Sequence, residues 1–294
     1  MIGFVILHYM VENETKKCVD SILNVEGEKK IIIVDNCSPN DSYIKLQNYY
    51  NNNNFVDVLQ NKDNLGFACG NNVGYEYLKR NYDNIDFIVV MNNDMEILQK
   101  NFIKEIYEIY KNDNFYVLAP DVFSTSNKIH QNPEPRMIRS IEKIETELKK
   151  MNEITNQKLM IKAFLKKIPL LEKIVKYIKN INRKREKNYL KKAYNQTLHG
   201  SCLIFSRNFI NEREYAFFPK TRFYCEAQIL DYECERNGWL RVYSPQIQVF
   251  HHEDVATNAS YKGYYQKALF MNECMRNSLK EFKDLIKNDL EEGK

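Results

Sequence analysis

Four polar clusters recur along the first hundred residues: His8-Tyr9, Asp35-Asn36-Cys37-Ser38, the stretch Asn61 to Gly70, and Asn92-Asn93-Asp94. Carboxylates are what a hard divalent cation such as Mg2+ or Mn2+ takes as protein ligands, often beside substrate phosphates. Asp94 is the natural metal ligand of the set. Asp35 is placed to accept a hydrogen bond from a nucleobase or a ribose. Further along, Glu226 in Phe223-Tyr224-Cys225-Glu226 is expected on a turn before a helix and is the best candidate for a general base. His251, in His251-His252-Glu253-Asp254, can complete a metal shell through a neutral imidazole nitrogen. Such a set suits a diphosphate substrate: the cation steadies the departing phosphates while a carboxylate takes a proton from the attacking hydroxyl.

Singly, these Asn and Asp residues are ordinary turn and helix-capping residues. Their weight comes from what precedes them. Gly3 to His8, Lys30 to Asp35, Phe55 to Gln60 and Phe87 to Met91 are short apolar runs that read as buried strands. Helical patterns fall between them, at Asn13 to Leu23, Tyr43 to Tyr50 and Phe67 to Arg80. Repeated βαβ units predict a doubly wound, mostly parallel α/β sheet, whose ligands bind at the carboxyl ends of the strands. The four clusters lie at or beyond four such ends. After a loop over Thr125 to Pro135 and an amphipathic helix over Ile138 to Met151, the αβ pattern resumes with strands at Cys202 to Phe205, Leu240 to Tyr243 and Ile247 to Phe250. A helix over Ala227 to Gly238, stopped by its glycine, and a long helical tail over Tyr261 to Ile286 accompany them.

The chain has 294 residues, 44% of them hydrophobic, which is a globular composition. Seven cysteines at wide spacing, with no C-x-x-C pair, read as reduced thiols and not as a disulfide framework or zinc site. The apolar start MIGFVILHYM lacks the basic region and cleavage site of a signal peptide, and no run reaches a membrane-spanning length of about 18 residues. A cytoplasmic protein is therefore expected. A net charge of +4 argues against a nucleic-acid binder. That charge is uneven. Lys158 to Lys192 carries thirteen Lys and Arg against two Glu, leaving the rest of the chain net acidic. Phe164, Ile168, Leu171, Val175 and Ile178 give this segment an apolar helical stripe, with Pro169 interrupting it or starting a new helix. It suits a solvated cover over a cleft, peripheral contact with an anionic membrane surface, or a partner surface.

The sequence resembles a family 2 glycosyltransferase with a GT-A fold, particularly the bacterial rhamnosyltransferase-like members of cell-surface polysaccharide pathways. The resemblance rests on Val5 to Leu23, IIIVDNCSPNDS (Ile31 to Ser42), NKDNLGFACGNNVGY (Asn61 to Tyr75), FIVVMNNDMEI (Phe87 to Ile97), GSCLIFSR (Gly200 to Arg207), and FYCEAQIL with VYSPQIQVFHHED between Phe223 and Asp254. It implies a nucleotide-sugar half (residues 1–125), a helical basic insert (126–198) and an acceptor half with C-terminal helices (199–294), together one GT-A domain. It implies His8 and Tyr9 beside the nucleotide, Asp35 with Asn36 on a uracil- or thymine-type base, and a donor loop at Asn64, Gly66, Gly70 and Asn71 where backbone nears ligand. Asn92-Asn93-Asp94 takes the D-x-D position, so Asn92 and Asn93 border the donor and Asp94 holds Mg2+ or Mn2+ with His251. Gly200 and Ser201 line the acceptor side, with the loop of His130 and Gln131 shaping the cleft. The implied reaction is inverting transfer of a hexosyl or deoxyhexosyl group from a UDP- or dTDP-type donor to a glycan or lipid-linked glycan, with Glu226 as base.

Two departures stand out. Asn92 replaces the first acid of D-x-D, which implies modest metal affinity, and Glu226 lacks the acidic neighbour usual around the base, with Asp231 as the fallback. A sugar-nucleotide-binding scaffold without turnover is the alternative. A nucleotidyltransferase is disfavoured because no Gly-rich basic loop follows the first strand.

Overall fold

The computed structural model describes residues 1–134, 140–153, 187–252 and 263–293. One ten-stranded sheet organises them, with main strand order β3-β2-β1-β4-β9-β6-β10-β5. β1 (Ile2–His8), β2 (Lys29–Asp35), β3 (Val56–Gln60) and β4 (Phe87–Asn92) are mutually parallel. α1 (Glu12–Leu23), α2 (Ser42–Tyr50) and α3 (Gly66–Asn81) make the crossovers between them. Beyond β4 come β5 (Met95–Glu96), α4 (Phe102–Asp113), β6 (Val117–Ser124), β7 (Ile129–His130) and α5 (Ile141–Asn152). The chain then adds β8 (Ala193–Tyr194), β9 (Cys202–Ser206), α6 (Arg207–Glu212), α7 (Glu226–Asn237), β10 (Arg241–His251) and α8 (Tyr264–Glu291). β9 runs antiparallel between β4 and β6, and β10 runs parallel to β6. The mixed α/β architecture is the one expected.

Alternation along β1 explains the two-faced packing. Ile2, Phe4 and Ile6 enter a core closed by α1, α2 and α4, while Val5 enters the opposite core under α3. Both faces are covered, so the parallel strands are apolar throughout, as KIIIVD and FIVVM are. A third apolar cluster joins α5, α7 and α8 through Ile144, Leu148, Ile229, Phe282 and Ile286.

Three boundaries differ from the sequence reading. His130 is in β7, a short partner of β6, where a loop was expected. Glu226 is the first residue of α7, not part of the preceding turn. The two strands expected at Leu240 to Tyr243 and Ile247 to Phe250 are one, β10, with its register broken between Ser244 and Gln248. Pro245 has no N–H for the ladder, which explains why a bulge sits there. Most of the basic segment 158–192 lies outside the described residues, as does the 253–262 stretch after the histidine pair. Among the described residues no helix is long and apolar enough to cross a membrane.

Candidate active site

β1, β2 and β4 end at one level, since His8 pairs with Asp35 and Leu7 with Asn92. The turn after β4 therefore opens at the carboxyl edge of the sheet. Its Asn92 N–H donates to the Ser201 carbonyl at 2.8 Å. The end of β10 reaches the same place, because His251 pairs with Met95 of β5. His251 Nε2 consequently lies 3.3 Å from Asp94 Oδ1. Behind the ring, Nδ1 is 2.8 Å from Gln131 Oε1. A carbonyl oxygen only accepts, so Nδ1 carries a hydrogen, and in the neutral ring Nε2 turns its lone pair toward Asp94. Asp94 is 7% exposed, and its Oδ1 has no hydrogen-bond partner among the described residues. Two facing acceptors with no hydrogen between them are what a divalent cation fits. Among the described residues no group of three or more potential ligands forms. The protein thus offers Asp94 and His251, which suits a cation shared with a diphosphate.

The donor side is more self-contained than the sequence implies. His8 is fully buried, with Nδ1 2.7 Å from Thr15 Oγ1 and Nε2 2.8 Å from Ser42 Oγ. The bond directions follow from their ends. Asn93 Nδ2 donates to Thr15 Oγ1 at 2.9 Å, and Ser42 Oγ donates to Asn40 Oδ1 at 2.6 Å. Thr15 then donates to Nδ1 and Nε2–H donates to Ser42. Burial lowers the His8 pKa to about 4, outweighing the pull of Asp35, so the ring is neutral. Both ring nitrogens of His8 are thus held by protein, and Asn93 is tied to the same network through its Nδ2.

Asn36 is likewise spent internally. It donates to Asn64 Oδ1 and the Gly66 carbonyl and accepts from Asn61 Nδ2 and the Leu65 N–H. Asn64 Oδ1 also accepts from the Gly66 N–H. Gly66, at φ +79°, is needed for a close approach, but what approaches is protein: an added Cβ would lie 2.3 Å from the Arg222 carbonyl oxygen. At Gly70 a Cβ would meet Leu7 at 2.7 Å. At both glycines the missing side chain makes room for protein. Two acceptors in this region stay unpartnered among the described residues, Asp35 Oδ1 and Asn71 Oδ1. Asp35 Oδ2 accepts from the Ser38 N–H and from Gln60. Tyr9 is partly exposed at the rim, and Met10 after it is tied to the loop by the bond from its N–H to Ser38 Oγ.

Glu226 opens α7 with only 8% exposure. Burial raises its pKa to about 7, and the backbone N–H groups of Glu226 and Tyr224 offset this in part. Its Oε1 has no hydrogen-bond partner among the described residues. A Cβ on Gly200 would lie 3.5 Å from Ala227 Cβ, and Ser201 contacts Asn92, so Gly200-Ser201 touches both α7 and the turn after β4. Asp231, the fallback base, is ion-paired with Arg241 inside the fold and is excluded on that ground.

The expected acceptor-side residues divide. Ser201 is 3% exposed and its Oγ bonds His199 Nδ1 at 2.7 Å, so it supports a histidine. Gln131 backs His251. His130 bonds Asp121 at 2.8 Å and stacks on Tyr189 at 3.6 Å. Gly200 remains partly open. Sequence reasoning missed His199, which stands edge-on to His251 at 6.0 Å and near Glu134 Oε1 at 3.9 Å. It also missed Thr15 and Ser42. A histidine before a strand and hydroxyls inside helices carry no distinctive signal, since their partners are distant in sequence.

The family model described as "Glycosyl transferase family 2" matches residues 4–212. That span includes Asp35 and Asp94; Glu226 and His251 lie beyond it. No curated protein matches the chain by sequence. Among solved structures, S. aureus TarS 1-349 is similar with a TM-score of 0.51 at 12% identity, over 85% of this chain and 60% of that one. The same protein in complex with UDP gives 0.52 at 12% identity over the same shares. S. aureus TarS itself gives 0.51 at 12% identity, covering 85% of this chain and 36% of that one. The chain thus spans less than two thirds of the length of these neighbours, and at this identity the likeness is one of fold.

Proposed function

Since the chain belongs to glycosyl transferase family 2, we propose that it moves a hexosyl or deoxyhexosyl group from a UDP- or dTDP-type donor to a glycan or lipid-linked glycan acceptor of a surface polysaccharide, with inversion. The observation that carries this reading is a set of buried acceptors without partners at the expected positions: Asp35 Oδ1, Asn71 Oδ1, Asp94 Oδ1 and Glu226 Oε1. A buried polar atom left unpaired costs about 1–3 kcal/mol, so such atoms call for an explanation. A substrate supplying a base or ribose hydrogen, a cation and an acceptor hydroxyl would answer three of them.

Asp94 and His251 would hold Mg2+ or Mn2+, which supplies charge neutralisation for the departing diphosphate. The protein performs the rest. Gln131 fixes the ring orientation of His251. Asp35 receives the nucleoside. Glu226, with a pKa of about 7, is half ionised near neutrality and strong enough to take the acceptor proton as the hydroxyl attacks the anomeric carbon. The basic segment 158–192 fits an anionic membrane surface carrying lipid-linked acceptor, and flotation on anionic liposomes with and without it tests that.

The test is a panel of UDP-, GDP- and dTDP-sugars, read by thermal shift and then by transfer with Mg2+ or Mn2+. UDP-sugars come first, because S. aureus TarS is solved with UDP. Turnover abolished by EDTA and by Asp94→Asn is expected. The scaffold alternative draws support from Asn92 and the two-ligand metal site; tight donor binding with no turnover for any donor and acceptor would favour it and sink the enzyme reading.

A further inference from the structure

The turn that delivers Glu226 is built from residues ill suited to its shape. Tyr224 and Cys225 both have left-handed backbones, with φ of 72° and 66°. Glycine is the usual occupant of such positions, and two successive non-glycine residues there persist only where the surroundings impose the conformation. Those surroundings are largely one face of α8. Ser278 is 2% exposed, and its Oγ donates to the Phe223 carbonyl at 2.8 Å. The Cys225 thiol points to Met275 Sδ at 3.7 Å. The Phe223 and Phe270 rings meet edge-on at 5.5 Å. Below the turn, Phe282 and Ile286 pack on Ile229, and Tyr232 bonds Asp289 at 3.0 Å. Met275, Ser278, Phe282, Ile286 and Asp289 recur at three- and four-residue steps, so one face of α8 makes these contacts, while Phe270 reaches Phe223 from a different side of the helix.

We infer that α8 is the positioning element of the base, with Ser278 as its principal positioning residue: by docking on residues 223–225 it holds the left-handed turn that sets the direction of the Glu226 carboxylate. Released from α8, the turn relaxes toward ordinary backbone angles and Glu226 swings off line. The sequence presents α8 as a helical tail, and its contact with the turn exists only in three dimensions. The inference rests on the reading of Glu226 as base, but its first consequence does not.

Hydrogen exchange followed by mass spectrometry on the full chain tests it, comparing wild type, Ser278→Ala, Ser278→Thr and Phe270→Leu. In Ser278→Ala, amides of the 222–227 region are expected to exchange at least tenfold faster while β1 to β4 are unchanged. UDP affinity in the presence of Mn2+ stays within about twofold, and turnover of a UDP-sugar falls about tenfold in kcat with KM little altered. Ser278→Thr, which keeps the hydroxyl, restores slow exchange, and Phe270→Leu loosens the same segment. Unchanged exchange in the turn, or acceleration spread evenly over the sheet, overturns the inference. Should Glu226→Gln keep full turnover while Ser278→Ala still loosens the turn, the base reading falls and the positioning by α8 stands.

Discussion

Glu226 and His8 are buried titratable groups whose effects on stability oppose each other. Glu226 ionises near pH 7 when folded and near 4.5 when unfolded. The native state therefore binds more protons between those values, and stability falls as pH rises through that window. Complete, the loss is on the order of 3 kcal/mol at 1.36 kcal/mol per pH unit. His8 shifts down, from 6.5 to about 4, so the unfolded state binds more protons and stability is lost as pH falls through that interval. The windows overlap and the two slopes largely cancel. Glu226→Gln removes one of them. The variant should melt higher than wild type above pH 7, and its melting temperature should climb between pH 4 and 6.5 more steeply than that of wild type. The same substitution should lower kcat by about 10²–10⁴-fold. In the wild type, kcat/KM should rise with pH to a plateau with a midpoint near 7. A profile flat from pH 5 to 8 would remove Glu226 from the proton transfer. Gln131 gives a second prediction at this scale. Gln131→Leu deletes the acceptor that fixes the His251 tautomer, so Mn2+ affinity, measured by calorimetry with UDP present, should weaken about 10–100-fold, as losses of outer-shell partners do. Unaltered Mn2+ binding would dissociate Gln131 from the metal site.

Elements explain why some of this was legible and some was not. Strands β1, β2 and β4 are continuous apolar runs ending in polar residues, and their ends mark the site because a parallel sheet aligns them. Asp94 and His251 come together for that reason: Asp94 lies in the turn between β4 and β5, His251 ends β10, and β5 pairs with β10. Direction of a side chain was not readable. His8 and Asn36 stand at their strand ends, yet Thr15, Ser42, Asn61 and Asn64, spread over separate elements, take up hydrogen bonds of both side chains. Gly66 shows the same limit. The sequence asks for a glycine at the start of α3, but only the fold reveals that the neighbour is the Arg222 carbonyl, which also accepts the Phe67 N–H at 2.6 Å. This contact joins the donor loop to the segment leading into Glu226. Gly66→Ala should therefore destabilise the protein by about 1–3 kcal/mol, through left-handed strain and loss of that approach. Urea denaturation measures it; a change below about 0.5 kcal/mol would show that the two loops separate freely.

At the scale of the whole molecule, the division into a nucleotide half over 1–125 and an acceptor half over 199–294 meets the topology of the sheet. β9, from the later half, is the strand between β4 and β6, both from the earlier one. Without β9, β6 has no partner connecting it to β4, and Phe205 and Leu203 leave the core that Val5, Val90 and Val117 share. Further ties cross the same division. Asn72 exchanges hydrogen bonds with Phe217 at 2.7 and 2.9 Å, and Lys79 reaches the Arg213 carbonyl at 2.9 Å. On these contacts we propose that the halves unfold as one cooperative unit. A fragment of residues 1–125 should lack the dispersed amide spectrum of a folded domain, and the full chain should unfold in urea with coincident transitions by circular dichroism and by the fluorescence of Trp239, which packs against Phe209 in the later half. If the fragment folds and binds UDP by itself, the donor site is autonomous, and the contacts at Gly66 and Asn72 serve to dock two domains, not to complete one.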